Sequence, residues 1–144
     1  MQRTINSIQA LHDFALEFIS TLPKHADRAT LVLLSGDLGA GKTAFVKEVA
    51  MILGVNEEVQ SPTFVIERRY TLSEQRFQSL VHIDAYRLES EAEFSPLRFN
   101  ETKSDAANLI FVEWPEQVGL SSREADAHLH FTFIDETTRE ISYE

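Results

Sequence analysis

The first segment of the chain has the apolar spacing of a helix that packs one face against a core. Asn6 is its predicted N-cap, with Gln9 three residues later as the capping-box partner. Pro23 ends the segment, because proline cannot continue a helix. The apolar positions of this predicted helix share one stripe: Ile8, Leu11, Ala15, Phe18 and Leu22.

Two short runs, residues 30–34 and 108–112, are apolar or nearly so at every position. Such runs are typical of strands that are buried on both faces of a largely parallel sheet. A glycine-rich turn follows the first run, and a second helical pattern then extends to Leu53, where Gly54 supplies a C-terminal stop. The order strand, glycine turn, helix is therefore predicted for this part of the chain.

Alternating patterns predict two antiparallel pairs of strands. Residues 64–70 and 77–86 form a hairpin around a polar turn, and residues 127–134 and 139–143 form a closing pair. Residues 88–99 are rich in Glu and are predicted to be partly helical, with an interruption at Pro96. The expected fold is α/β, with three layers: a mixed central sheet flanked by helices.

Composition narrows the class of protein. The 144 residues are 43% apolar and 25% charged, which favours one folded domain over residues 1–144. The net charge of −10 disfavours direct binding of an extended polyanion such as tRNA, and the lack of cysteine excludes disulfides and thiolate sites. No secretory pattern begins the sequence and no apolar run approaches about 20 residues, so a cytoplasmic protein without membrane association is expected.

One motif carries specific chemistry. The segment from Gly36 to Thr43 satisfies G-x-x-x-x-G-K-[ST] between a buried-type strand and a helix, the context in which this pattern binds nucleotide phosphates. Lys42 is expected to reach the β- and γ-phosphates of ATP, and the Thr43 hydroxyl to ligate Mg²⁺. The strand and helix context argues against a chance match. The predicted nucleotide-contacting residues are Gly36, Asp37, Leu38, Gly39, Ala40, Gly41, Lys42, Thr43 and Ala44.

Two carboxylates are candidates for the same site. Glu113 follows the second apolar run, where an acid can hold Mg²⁺ or its water shell, and an ordinary solvent-facing Glu is the alternative. Strand alternation puts Asp84 on one face with His82 and Tyr86. Asp84 is a candidate second carboxylate, which polarises the attacking water or holds water on Mg²⁺. A hydrogen-bonded structural Asp stays open.

Other residues have less specific patterns. Thr63, in the segment 61–64, is placed where a loop can sense the γ-phosphate, although a plain turn explains the same residues. Trp114 packs in the core or shapes a partner surface. His128 and His130 share a strand face, but two histidines without a third ligand are more typical of surface residues than of a metal site.

Four segments together resemble the TsaE family, also called YjeE, the small bacterial ATPases of tRNA threonylcarbamoyladenosine synthesis. They occur in family order and with family-like spacing: Ser35-Gly36-Asp37-Leu38-Gly39-Ala40-Gly41-Lys42-Thr43, Ser61-Pro62-Thr63-Phe64, His82-Ile83-Asp84-Ala85-Tyr86-Arg87-Leu88 and Glu113-Trp114-Pro115-Glu116.

The resemblance implies a P-loop sheet flanked by helices and an ATPase that supports tRNA modification without making it. It implies TsaD and TsaB as partners, so that tRNA is met only indirectly through the complex. Mg²⁺ binding is implied at Thr43 and Glu113, and functional importance at Lys42, Asp84 and Trp114.

Arg139 loosely matches a family arginine near the nucleotide base. The chain departs from the family at Ser95-Pro96-Leu97, where a Leu-Gly pair is usual, and lacks the C-terminal tail of longer members. The first departure leaves the local backbone and any partner contact there open.

Three other readings share the phosphate loop. A small-molecule kinase needs an acceptor site and a lid, for which 144 residues leave little room. A GTPase is disfavoured because the sequence has no N-K-x-D segment. An ATP-gated binding module with incidental hydrolysis uses the same phosphate-contacting residues, so the sequence leaves it open.

Overall fold

The computed structural model describes residues 1–55, 67–73, 76–88 and 98–143. Within these ranges the strands are β1 Gln2–Ile5, β2 Thr30–Gly36, β3 Glu67–Thr71, β4 Ser79–Asp84, β5 Asn108–Glu113, β6 Ala127–Asp135 and β7 Thr138–Tyr143. The α-helices are α1 Ile8–Thr21, α2 Lys42–Ile52 and α3 Phe99–Lys103, and two 3₁₀ turns cover Pro115–Val118 and Ser122–Glu124.

The described strands form one mixed sheet in the order β1-β7-β6-β2-β5-β4-β3. The central strands β6, β2, β5 and β4 are parallel, whereas β1, β7 and β3 pair antiparallel at the two sides. Every residue of β5 is buried, as are all residues of β2 except Gly36. The prediction of two buried parallel strands is therefore confirmed, and their carboxyl ends meet at one edge of the sheet.

A separate apolar core covers each face of the sheet. Helices α1 and α2 pack on one face, where Phe14, Phe18 and Phe45 have ring centroids 5.6 to 6.1 Å apart. On the other face, Leu31 and Leu33 of β2 lie in a core that includes residues of α3 and of the first 3₁₀ turn. The expected three layers are thus confirmed. That residues 1–144 form one domain stays a prediction.

The start of the chain differs from the prediction in two ways. Residues 2–5 form a strand, β1, on β7, and Ser7, not Asn6, caps α1 by accepting a hydrogen bond from the Ala10 backbone N–H at 3.0 Å. This cap starts the helix at Ile8, whose side chain is 75% exposed and so not part of the buried stripe. The residues of α1 that are buried are Phe14, Ala15, Phe18 and Ile19.

Both predicted antiparallel pairs occur. β3 pairs with β4, and β6 pairs with β7 across a register shift between Phe133 and Asp135. The earlier part of the predicted hairpin strand, residues 64–66, and most of the predicted Glu-rich helix, residues 89–97, lie outside the described residues, as does the departure at Ser95-Pro96-Leu97. None of the described helices is long and apolar enough to cross a bilayer.

We expect Gly36→Ala to destabilise the fold by about 3 kcal/mol, because strain and a clash add. Gly36 has φ +138°, and a Cβ there would lie 2.3 Å from the backbone oxygen of Phe131, its partner on β6. Gly39→Ala is the matched control, since Gly39 has φ +78° but its Cβ would meet nothing within 4 Å. The control should cost only about 1–2 kcal/mol. Equal losses in urea unfolding would contradict the clash.

Candidate functional site

The glycine-rich turn joins β2 to the first residue of α2. Gly41 holds the N-cap position of α2 with φ +103° and, as a glycine, has no side chain that could cap the helix. The free N–H groups and the positive end of the helix dipole make such an end suitable for an anion. The turn predicted to bind phosphate therefore has the backbone geometry for it.

Lys42 is folded across the inside of this turn. Its side chain is 4% exposed, and Nζ donates to the backbone oxygens of Gly36 and, at 2.9 Å, of Asp37. Nζ also lies 4.5 Å from the centroid of the Trp114 ring. Burial lowers the pKa of Lys42, and the charges of Glu113, Asp84, Glu116 and Asp37 oppose that shift. The acidic surroundings show that this ammonium lies among all the candidate carboxylates.

Thr43 and Glu113 are in direct contact. The Thr43 hydroxyl donates to Glu113, with Oγ1 at 3.2 Å from Oε2 and 3.4 Å from Oε1. Parallel pairing of β2 with β5 sets Glu113 opposite Leu34, immediately before the glycine turn. Glu113 is only 3% exposed, so the alternative of a solvent-facing glutamate at a strand end is wrong. The two residues predicted to serve the metal are brought together.

Asp84 lies beside Glu113 on the next strand. The two residues are register partners in the β4–β5 pair, and Asp84 is 7% exposed. Asp84 Oδ1 accepts a hydrogen bond from the Tyr86 backbone N–H at 2.9 Å. Burial raises the pKa of Asp84, the Tyr86 hydrogen bond lowers it, and neighbouring Glu113 raises it again. The second predicted carboxylate therefore joins the site, with one oxygen also held by the local turn.

We expect Asp84→Asn to raise the stability of the nucleotide-free protein at neutral pH by about 1 kcal/mol, or about 4 °C in Tm. The raised pKa means that the folded protein holds the ionised carboxylate less favourably than water does. Thermal unfolding by circular dichroism measures the change. Asp105→Asn is a control in a turn away from the site. A lower Tm for Asp84→Asn would assign Asp84 a mainly structural role.

A chain of hydrogen bonds anchors the start of the turn. Ser35 Oγ lies 3.0 Å from Glu116 Oε2, to which it donates, and 2.7 Å from His128 Nε2. His128 Nδ1 lies 2.7 Å from the Ser122 hydroxyl. His128 is predicted to be a surface residue, but it also has a structural role, because it connects β6 to Ser35, the residue before Gly36. No local pattern indicates this contact, since the partners are far apart along the chain.

Two other residues have clear positions. Trp114 is half-buried with φ +59°, packs against the second core, and has its ring centroid 5.0 Å from that of Tyr86. His128 and His130 stack with centroids 4.2 Å apart. Among the described residues, no three His, Asp or Glu side chains group as metal ligands.

Thr63 lies outside the described residues, so its sensing role stays a prediction.

A cavity of about 360 Å³ adjoins the outer side of the glycine turn. Gly41 and Ala44 form one wall and Arg139 another. Arg139 Nε donates to the backbone oxygen of Gly39 at 3.2 Å, and its guanidinium carbon lies 4.5 Å from the Phe133 ring centroid. The cavity residues are Ile5, Asn6, Ser7, Ile8, Leu11, Ala40, Gly41, Ala44, Phe131, Glu136, Thr137, Arg139 and Ile141. The loosely matched Arg139 thus lies next to the predicted phosphate turn.

Comparison with known proteins agrees with this geometry. The crystal structure of YdiB from Bacillus subtilis superposes with a TM-score of 0.72 at 22% identity, covering 99% of this chain and 83% of that one. This match and the mixed sheet confirm the P-loop NTPase-like fold.

Relatives in sequence carry one name, tRNA threonylcarbamoyladenosine biosynthesis protein TsaE. The protein of Mycobacterium tuberculosis is 35% identical in an alignment of 129 positions that covers 76% of this chain and 74% of its own. That of Rickettsia prowazekii is 38% identical over 114 residues, 78% of this chain and 73% of its own. The model of the family described as threonylcarbamoyl adenosine biosynthesis protein TsaE matches residues 5–141. The chain therefore belongs to the TsaE family.

Proposed function

We propose that this protein binds and hydrolyses ATP with Mg²⁺ and thereby supports threonylcarbamoyladenosine modification of tRNA. The contact between Thr43 and Glu113, made beside the Lys42 ammonium, carries the proposal. A hydroxyl at the start of a phosphate-binding helix and a carboxylate on the neighbouring strand are the protein groups with which P-loop enzymes hold magnesium. The family membership supports the same assignment.

The donor set fits magnesium. Thr43 Oγ1 and the Glu113 carboxylate offer hard oxygen ligands, and Asp84 adds a third oxygen donor that is adjacent by strand register. When bound there, Mg²⁺ neutralises phosphate charge and orients the transferred group. A cation bound there would also reduce the charge repulsion between the buried carboxylates of Asp84 and Glu113. Thr43, Glu113 and Asp84 are therefore the proposed metal residues.

Lys42 is the proposed phosphate-binding cation. Nζ now donates to two backbone oxygens of the turn, both of which are neutral acceptors. Phosphate oxygens are charged acceptors and form stronger hydrogen bonds with an ammonium, so a bound triphosphate displaces these carbonyls. Release of Lys42 from the turn then accompanies nucleotide binding. The turn residues 36–41, with Thr43 and Ala44, supply backbone donors to the same phosphates.

Asp84 is the proposed residue that orients the attacking water. A base for this task must be close to the metal residues and must keep a proton-accepting oxygen. Asp84 adjoins Glu113 on the neighbouring strand, which places its carboxylate close to a water that the metal residues would hold. Lys42, Asp84 and Glu113 are accordingly the proposed catalytic residues.

The cavity beside Gly41 is the proposed place for the adenine ring. Its apolar wall includes Leu11 and Ala44, and Asn6 and Ser7 offer polar atoms for the edge of a base. Arg139 lies between this cavity and the outer side of the turn. Because Gly41 also lines this cavity, a nucleotide with its phosphates at the glycine turn can place its base there. We therefore include Arg139 among the nucleotide-binding residues.

We place the protein in the cytoplasm with TsaB and TsaD as partners. The net charge of −10 opposes direct contact with tRNA, whereas a protein partner can carry complementary positive charge. The names of the relatives place those proteins in threonylcarbamoyladenosine biosynthesis. The tRNA is then reached through the complex rather than by this surface.

The test replaces Glu113 by Gln in cells depleted of the natural protein and measures threonylcarbamoyladenosine by nucleoside analysis of tRNA. We expect the variant to bind ATP and to fail in modification, while Glu101→Gln, at an exposed glutamate of α3, retains it. Full modification with a hydrolysis-dead Glu113→Gln would favour the ATP-gated module. Transfer of labelled phosphate from ATP to a metabolite, not water, would favour a small-molecule kinase.

A further inference from the structure

His82 is buried beside the proposed metal residues, and in the described part of the chain one of its two ring nitrogens is paired. Its side chain is 0% exposed, and Nε2 lies 2.5 Å from Glu113 Oε2. An ionised carboxylate only accepts hydrogen bonds, so Nε2 carries the hydrogen of this contact. His82 Nδ1 has no hydrogen-bond partner among the residues that the structure describes. Buried polar atoms are normally paired, so this nitrogen needs an explanation.

The contact leaves the two oxygens of Glu113 unequal. Oε2 accepts from His82 at 2.5 Å and from Thr43 at 3.2 Å, whereas Oε1 has only the long 3.4 Å contact with Thr43 in the described part of the chain. Oε1 is thus the oxygen most free to face a cation or its water shell. A residue that fixes one oxygen of a carboxylate also fixes the direction of the other.

Arg68 carries a complementary unpaired atom. It is the register partner of His82 in the antiparallel β3–β4 pair, so the two side chains lie on the same face of the sheet. Arg68 Nε is also buried without a hydrogen-bond partner among the described residues. Arg68 Nε is an N–H donor. In a neutral imidazole ring whose Nε2 carries the hydrogen, His82 Nδ1 is an acceptor. Directly opposite residues of an antiparallel pair have Cβ atoms about 4.5–5.5 Å apart, so the two side chains are within reach of each other.

We propose that His82 positions Glu113 for the metal, and that Arg68 donates to His82 Nδ1 when magnesium and nucleotide are bound. This inference rests on the proposed function and deepens it. His82 is a positioning residue, since it acts through Glu113. The row Arg68, His82, Glu113, Thr43 then connects the edge strand β3 with the start of α2. A change at the sheet edge thereby reaches the metal residues.

The first test compares His82→Gln with His82→Met. The two side chains have similar length, but only Gln keeps an N–H donor at the reach of Nε2. Calorimetry measures ADP binding in Mg²⁺ and in EDTA. We expect His82→Met to weaken the Mg²⁺-dependent part about tenfold, His82→Gln to retain most of it, and binding in EDTA to change little. Equal losses in both variants, or no loss in either, would overturn the positioning role.

The second test concerns Arg68 and uses a double-mutant cycle. Arg68→Met alone should weaken Mg²⁺-dependent binding about threefold, and it should add nothing in the His82→Met background. Arg69→Met is the matched control, because Arg69 pairs with Glu67 and Thr102. Independent, additive losses would overturn the link between Arg68 and His82.

A measurement on the unmutated chain covers the case in which the variants do not fold. Nitrogen-15 spectra of the histidine side chains should show a shift of His82 Nδ1 on addition of Mg²⁺ and ADP, and no such shift with ADP in EDTA. An unchanged Nδ1 signal would overturn the role of Arg68. Wild-type nucleotide binding that is identical in Mg²⁺ and EDTA would instead overturn the proposed magnesium site itself.

Discussion

ATP hydrolysis by the isolated protein is expected to be slow and to accelerate by about 10³-fold when a partner supplies a further cation. A phosphoryl-transfer transition state gains from a cation besides the P-loop lysine and the metal, and a late arginine is worth about 10³–10⁵ in rate. In the described part of the chain, Arg69 is bonded to Glu67 and Thr102, and Arg139 to backbone oxygens of Gly39 and Asp135. Arg69 and Arg139 are thus engaged away from Glu113, and Arg68, the register partner of His82, is the proposed donor to that histidine and not to phosphate.

The measurement is steady-state hydrolysis of ATP by the purified chain, alone and with TsaB and TsaD from the same source. Glu113→Gln serves as the blank for contaminating activity. Addition of tRNA without the two proteins should not raise the rate, because the net charge of −10 opposes its approach. A fast isolated enzyme that the partners leave unchanged would contradict partner activation.

Loss of the Lys42 ammonium should remove useful nucleotide affinity. A charged hydrogen bond to phosphate contributes about 1.5–3 kcal/mol, so Lys42→Ala should bind ATP about ten- to a hundredfold more weakly. Lys42 is buried among the carboxylates of the site, whereas Lys47 lies on the same helix with its side chain exposed. Lys47→Ala is therefore the matched control.

Calorimetry gives the affinity, and circular dichroism checks that the variant keeps its fold. The fold should persist because, among the described residues, Lys42 Nζ donates to backbone oxygens of its own turn and contacts Trp114. The Lys47→Ala control should bind ATP like the unmutated protein. If Lys42→Ala also bound ATP with unchanged affinity, the phosphate-binding role of Lys42 would be contradicted.

The parts of the site that the sequence predicts are those set by local spacing. The motif from Gly36 to Thr43 needs only adjacent residues, and the apolar run before Glu113 places that acid at a strand end. Parallel pairing of β2 with β5 then brings Glu113 against Thr43. Long continuous apolar runs identify such strands because both faces of the sheet are covered.

Features that depend on pairing between distant segments escape such reasoning. β1 has three consecutive polar residues before Ile5 and so lacks an apolar strand pattern, and its pairing with β7, at the other end of the chain, makes it a strand. The contact of His128 with Ser35 joins residues 93 positions apart. The sequence placed His82 on the same face as Asp84, but its bond to Glu113 follows from the order of β4 and β5 in the sheet.

The cap of α1 illustrates a different limit. Asn6 and Ser7 both offer a side-chain oxygen, and the pattern of apolar residues does not decide between neighbours. The strand β1 ends at Ile5, and the backbone is still extended at Ser7. Ser7 is therefore the residue that caps the helix. A shift of one residue moves Ile8 out to solvent beside the cavity proposed for adenine.

Calorimetric titration of the unmutated protein with ATP tests the magnesium-nucleotide site that we propose at Lys42, Thr43 and Glu113. One titration contains Mg²⁺ and the other EDTA, at equal ionic strength. We expect one ATP per chain, bound more tightly with Mg²⁺ because Thr43 and Glu113 then add metal contacts. No binding of ATP, or equal affinity in the two titrations, would contradict it.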